Sequence, residues 1–108
     1  MSTLQDFIGA GFDTVSSSLQ WIILYLAFYK DEQKLVQKEI DNVLGSRKPT
    51  FKDRNSLPYT EATILEVIRL ANVVPMGLPH ATTKDVIFRD FEIKKGTVVF
   101  CNNYATAR

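Results

Sequence analysis

The chain has 108 residues, enough for one small domain and too few for two. Hydrophobic residues make up 45% and charged residues 23%, which excludes disorder over most of the length. With 13 basic residues against 12 acidic ones the net charge is +1, and no basic stripe interrupts the balance, so nucleic acid is not an expected partner.

One cysteine, Cys101, excludes an internal disulfide and suits a reducing compartment. With only His80 beside it in the ligand inventory, a metal cage is not expected, and the metal assignment is none. Residues 1–7 lack the basic stretch and apolar run of a signal peptide. The most apolar stretch, Leu19 to Tyr29, is shorter than the roughly 20 residues a spanning helix needs, and three serines precede it. A buried helix is the better reading, so no targeting signal or anchor is expected in this chain.

In chain order, a first helix is predicted from about Leu4 to Tyr29, apolar nearly all round in its second half and therefore expected to be buried on several sides. A second helix is predicted over 31–45. Asp31 and Glu32 suit its positive end, Val36, Ile40, Val43 and Leu44 repeat at helical spacing, and Gly45 stops it. Residues 46–57 read as a polar loop. Pro58 opens a third helix over 58–72, with Ile64, Leu65, Ile68 and Ala71 on its apolar face. Pro75 and Pro79 prevent further helix. The region 73–108 then reads as short strands, Val86–Phe88, Phe91–Ile93 and Thr97–Cys101. Helices followed by a small β region make an α+β, mainly helical class. The first helix wants more cover than two further helices supply, so the sequence reads like the middle of something larger.

Three constellations carry chemistry. In Gly9-Ala10-Gly11-Phe12-Asp13-Thr14 the small Ala10 and Gly11 let a flat ligand approach the helix backbone. Gly11 lowers helix stability by about 1 kcal/mol relative to alanine. Thr14 follows Ala10 by four residues, so its hydroxyl reaches the Ala10 carbonyl. An opened turn there would make a pocket of carbonyl, hydroxyl and Asp13 carboxylate, able to relay protons. Helix packing through small residues, with Asp13 solvated, explains the same pattern. Glu66 and Arg69, three apart, lie on one helix face and read by themselves as a solvated pair. In Val74-Pro75-Met76-Gly77-Leu78-Pro79-His80-Ala81-Thr82-Thr83 two prolines hold an extended segment. There Val74 and Leu78 can face a pocket, and His80 can donate to a carboxylate or to backbone carbonyls.

Taken in this order, the three resemble cytochromes P450. Gly9 to Thr14 is similar to the oxygen-activation motif of that family's central helix. Glu66-Val67-Ile68-Arg69 resembles its Glu-x-x-Arg helix, with Leu57-Pro58-Tyr59 leading in as in microsomal members. Val74-Pro75 and Pro79 to Thr83 resemble the segment after it, and Lys95-Gly96-Thr97-Val98-Val99-Phe100 the next strand. The resemblance spans essentially the whole chain and is closest to family 1, whose members oxidise flat aromatic compounds, oestrogens and related lipophiles.

That resemblance implies a segment of a haem-thiolate monooxygenase. Its cofactor would be haem b and its reaction the insertion of one oxygen atom from O2 into a lipophilic aromatic or steroid-like substrate. NADPH–cytochrome P450 reductase would be its partner, and it would sit on the endoplasmic reticulum membrane through an anchor not seen in this chain. By the same resemblance Thr14 would hydrogen-bond the oxygen being activated and Asp13 would help deliver protons. Ala10 and Gly11 would wall the haem, His80 would meet a propionate, and Phe12, Val74 and Leu78 would line the substrate pocket. Glu66 and Arg69 would belong to a buried network. The sequence reaches Arg108 before any Phe-x-x-Gly loop, and Cys101, on a predicted strand, is not read as the haem ligand. The expectation is therefore that these 108 residues alone neither hold haem as a thiolate complex nor oxidise substrate. Two other readings compete: a small helical module binding a partner helix or hydrophobic ligand, and a docking face for the reductase at Lys34 and Lys38.

Overall fold

A computed structural model describes residues 3–107, which fall into two compact units divided after Val73. The first is helical: α1 (Thr3–Phe28), α2 (Lys30–Leu44), a 3₁₀ helix (Phe51–Ser56) and α3 (Pro58–Ala71). The second holds four short strands, β1 (His80–Ala81), β2 (Val86–Phe88), β3 (Phe91–Ile93) and β4 (Val98–Val99), and one helical turn, α4 (Asn103–Thr106). The class is α+β and mainly helical.

In the first unit the three long helices touch pairwise. Val36 of α2 (7% exposed) and Val67 of α3 (5%) are the buried hydrophobic residues among those described. Each contributes about 1.5–3 kcal/mol by leaving water. The expected burial of α1 on several sides is not found: no described residue of α1 is buried, and Leu4, Phe7, Ile8 and Phe12 are each more than 60% exposed. Length explains this. At 26 residues α1 is about 39 Å long, whereas the 14 residues of α3 reach only about 21 Å. The neighbours cover part of one side of α1, where Val15, Ser18, Leu19 and Ile22 line a shallow groove with Ile68 of α3.

Helix α2 ends as its sequence indicates. Gly45 takes φ 57° and its N–H bonds the Asp41 carbonyl at 2.9 Å. The polar segment that follows is not a plain loop. Asp53 accepts from the Thr50 backbone N–H (2.7 Å) and hydroxyl (2.9 Å), and Arg47 grips the same carboxylate through two bonds of 2.9 and 2.8 Å. This winds residues 51–56 into the 3₁₀ helix. The Arg47 guanidinium, joined by the two Thr50 donors, holds the Asp53 carboxyl well below the usual carboxylate range.

Pro58 occupies the first turn of α3, where its missing N–H costs nothing. The donors left at that end are taken by a residue of another helix. Glu39 of α2 accepts from Tyr59 N (2.9 Å), Thr60 N (2.7 Å) and Thr60 Oγ1 (2.6 Å). A carboxylate at a helix N-terminus also meets the positive end of the macrodipole. Burial pushes the Glu39 carboxyl up, but the Thr60 and Tyr59 bonds outweigh it and leave it below its ordinary value. Tyr59 reaches back from α3 to donate to the Glu32 carboxylate, which pushes the phenol up. Arg54 of the 3₁₀ helix donates to Glu61 of α3. At its far end α3 stops at Asn72, left-handed at φ 42°.

In the second unit β1 pairs antiparallel with β4 (His80 opposite Val99) and β2 with β3 (Val86 opposite Ile93, Phe88 opposite Phe91). Thr82 closes the first pair, donating to the Lys94 carbonyl at 2.6 Å while accepting from Thr97 N at 3.1 Å. Asp85 accepts from Lys95 N at 2.8 Å. The expected strand Thr97–Cys101 is shorter: Cys101 lies on irregular chain and is exposed. Gly77 explains the change of direction. It sits at φ 64°, and a Cβ there would stand 3.3 Å from Asn103 Nδ2 and 3.5 Å from the Cys101 carbonyl. The chain on either side of Cys101 is therefore committed to passing Gly77 closely, not to extending β4.

Candidate functional site

The Ala10–Thr14 segment lies within α1, and helix is continuous through it. Thr14 Oγ1 donates to the Ala10 carbonyl at 2.6 Å, and one turn on Ser18 Oγ donates to the Thr14 carbonyl at 2.7 Å. These back-bonds form a polar line along one face of α1. The opened turn considered from sequence is not formed: Gly11 weakens the helix, but the Thr14 hydroxyl shares the Ala10 carbonyl without displacing it. Helix packing through small residues also fails within this chain, because a Cβ added at Gly9 or Gly11 meets nothing within 4 Å. Ala10, Gly11, Phe12, Asp13 and Thr14 are all exposed. What the sequence places here is an open, small-residue face carrying one hydroxyl and one carboxylate.

Glu66 and Arg69 form a fork on α3, with Arg69 Nε donating to Glu66 Oε2 at 2.7 Å and Nη2 to Oε1 at 2.6 Å. Arg69 holds the Glu66 carboxyl below its ordinary value. Within these residues the two side chains are 55% and 42% exposed. Glu66 lines a groove of about 380 Å³ with Tyr25, Tyr29, Tyr59 and Val67. Tyr25 and Tyr29 are themselves stacked, with ring centroids 5.8 Å apart.

In the second unit Val74, Leu78 and His80 are exposed, and His80 is held by its pairing with Val99 at the start of β1. The Val74 carbonyl accepts from Gly77 N at 3.1 Å, a tight turn that sets Val74 and Leu78 on the chain leading into β1. On α2, Lys34 pairs with Asp31 at 3.2 Å with both side chains largely solvated, as an ordinary helix face does.

The family model for cytochrome P450 matches residues 1–108. The chain belongs to the cytochrome P450 family. Among curated relatives, cytochrome P450 1A1 of dog is 46% identical over 105 residues, covering 96% of this chain and 20% of the relative. Human cytochrome P450 1A1 is 45% identical over 100 residues, and cytochrome P450 2K4 of rainbow trout, Oncorhynchus mykiss, 47% over 97. The chain thus spans about one fifth of the length of these relatives. A zebrafish cytochrome P450 solved with abiraterone superposes with a TM-score of 0.90 at 35% identity, over 95% of this chain and 25% of that one.

Family membership allows the open α1 face of this P450 chain to be tested against a haem. The face fits as a wall: a Cβ at Gly11 would meet nothing within 4 Å, Ala10 is exposed, and Thr14 presents an oxygen beside them. No described helix is long and apolar enough to cross a membrane.

The residues that sequence reasoning missed are Glu39 and Glu32, which bond the first turn of α3, and the Arg47–Asp53 pair, which secures the 3₁₀ helix before it. The Thr50-x-x-Asp53 spacing was a readable capping signal. Glu39 had none, because its partners lie 20 and 21 residues away.

Proposed function

We propose that this P450 chain is the oxygen-activation and Glu-x-x-Arg portion of a haem-thiolate monooxygenase that inserts one oxygen atom from O2 into lipophilic, aromatic or steroid-like substrates. The observation that carries the reading is the 2.6 Å bond from Thr14 to the Ala10 carbonyl, beside a face that Gly11 leaves open. Haem b would supply oxygen binding and its reductive activation. Ala10 and Gly11 would hold one haem face, and His80 would donate to a propionate carboxylate.

Thr14 acts by exchanging partners. Its single hydroxyl proton lies on the Ala10 carbonyl, so turning the hydroxyl frees a donor without moving the helix. Asp13, solvent-exposed one residue before it, takes protons from water and passes them toward that hydroxyl. Phe12, Val74 and Leu78 supply apolar surface for substrate and exclude water from it. Glu66 and Arg69 act as a positioning pair: the fork fixes both side chains on α3. Electrons would come from NADPH–cytochrome P450 reductase at the endoplasmic reticulum membrane. Cys101 is not assigned the iron, because its segment is bent past Gly77 and solvent-exposed. The 108 residues alone are proposed to be inactive.

The test is sequencing of the complete transcript that encodes this segment. A reading frame that continues into a Phe-x-x-Gly loop with a cysteine supports the assignment. A transcript encoding residues 1–108 and nothing more contradicts it as a statement about this protein.

A further inference from the structure

The segment between α2 and the 3₁₀ helix holds a cluster that oxygen chemistry does not use. Arg47, Thr50 and Asp53 grip one another through the bonds described above. Thr50 is exposed and its backbone is extended, at φ −125° and ψ 162°. Arg47 stands three residues before it and Lys48 two, and Phe51 follows directly with 87% of its surface exposed. An extended, accessible hydroxyl with a guanidinium three residues upstream and an apolar side chain downstream is what the acidic substrate groove of a basophilic kinase selects. Such a groove discriminates by charge at fixed spacing.

We propose that Thr50 is a phosphorylation site for an ATP-dependent basophilic protein kinase, and that the Arg47–Asp53 ion pair is the contact the modification rearranges. In the transfer Thr50 Oγ1 attacks the γ-phosphorus of ATP. The Oγ1–P bond forms, the bond from that phosphorus to the β–γ bridging oxygen breaks, and ADP leaves. The hydroxyl proton passes to the kinase's carboxylate base.

The local consequence follows from donor and acceptor counting. Before transfer the hydroxyl donates to Asp53 Oδ2 at 2.9 Å. Afterwards that donor is gone, and a group carrying about −1.5 to −2 charges stands against the carboxylate. The guanidinium that spans the two Asp53 oxygens matches phosphate oxygens equally well. Arg47 therefore moves to the phosphate, and Asp53 loses both its cation and its hydroxyl. Because Asp53 lies in the first turn of the 3₁₀ helix, and Arg54 of that helix donates to Glu61 of α3, the disturbance reaches the start of the helix that carries Glu66 and Arg69.

The same contact sets the rate of modification. In the resting chain Arg47 and the Thr50 hydroxyl are both engaged by Asp53, so loosening Asp53 exposes what the kinase reads.

The experiment is in vitro phosphorylation of the 108-residue chain with ATP and a purified calcium/calmodulin-dependent protein kinase, with the modified residue located by fragment-ion mass spectrometry. The expected result is phosphate on Thr50, lost in Thr50→Ala and regained in Thr50→Ser, which shows that loss in the alanine variant is not misfolding. Arg47→Gln slows incorporation by about tenfold or more, the loss of one charge contact, while Asp53→Asn accelerates it. Phosphate mapped to other residues, incorporation unchanged in Thr50→Ala, or equal rates in Arg47→Gln and the parent chain would each overturn the proposal. None of these outcomes depends on haem, so the test stands apart from the proposed oxygen chemistry.

Discussion

The Ala10–Thr14 face of α1 and the junction of α2 with α3 both lie on helices, but they are held in opposite ways. The junction is pinned by contacts reaching across 20 residues and more: Glu39 to the first turn of α3, Tyr59 to Glu32, and Val67 in the buried core. The α1 face has only its own helix, with two hydroxyls bonded back to carbonyls four residues earlier and apolar neighbours open to water. A structural region satisfies its polar groups internally. The contrast separates a region held by its own contacts from one left open, and it is to the open face that the proposed oxygen chemistry is assigned.

The largest effect expected from breaking this contrast is at the core. Val67→Ala destabilises the first unit by about 1–3 kcal/mol through lost burial and a residual cavity. Leu4→Ala on open α1 stays within about 0.5 kcal/mol. Urea unfolding followed by circular dichroism separates the two. Equal effects would mean that α1 is as tightly packed as the junction.

Next in size is Glu39→Gln, which lowers the melting temperature at pH 7 by weakening the acceptor for three donors. Its pH signature is specific. The folded carboxyl titrates below its ordinary value of 4.5, so its stabilising contribution is complete above pH 4.5 and is lost as pH falls through the lower folded value. Melting temperature plotted against pH should therefore fall below pH 4.5 in the parent chain and fall less in Glu39→Gln. Asp53, also held low, adds its own loss starting below its ordinary 3.8 and remains in that variant. Parallel curves for parent and variant would remove Glu39 from the junction.

How much of this was legible depends on the range of each interaction. Gly45 and Pro58 bound their helices through local backbone chemistry, so α2 and α3 could be read directly, as could the four-residue reach from Thr14 to Ala10. Residues 51–56 read as loop in the sequence because the Arg47–Asp53 fork that winds them is a side-chain event without periodicity. Apolar composition made α1 look buried, but composition reports what a helix is suited to contact and not what lies beside it. The exposure of Glu66 and Arg69 has the same origin: the pair and its spacing were visible, its surroundings were not. Tertiary capping by Glu39 left no trace in the sequence.

A smaller expected effect on stability distinguishes the α1 face from everything else. Thr14→Ala removes one exposed back-bond and should change stability by no more than about 0.5 kcal/mol.

The most direct test of the account measures what that same substitution does to chemistry, in the protein encoded by the complete transcript, by comparing NADPH consumed with product formed. The account predicts that Thr14→Ala still consumes NADPH and O2, with product per NADPH down by about tenfold or more and recovered in Thr14→Ser, because only a hydroxyl can relay the proton. Unchanged coupling in Thr14→Ala would contradict the assignment of the α1 face as the place where protons reach oxygen.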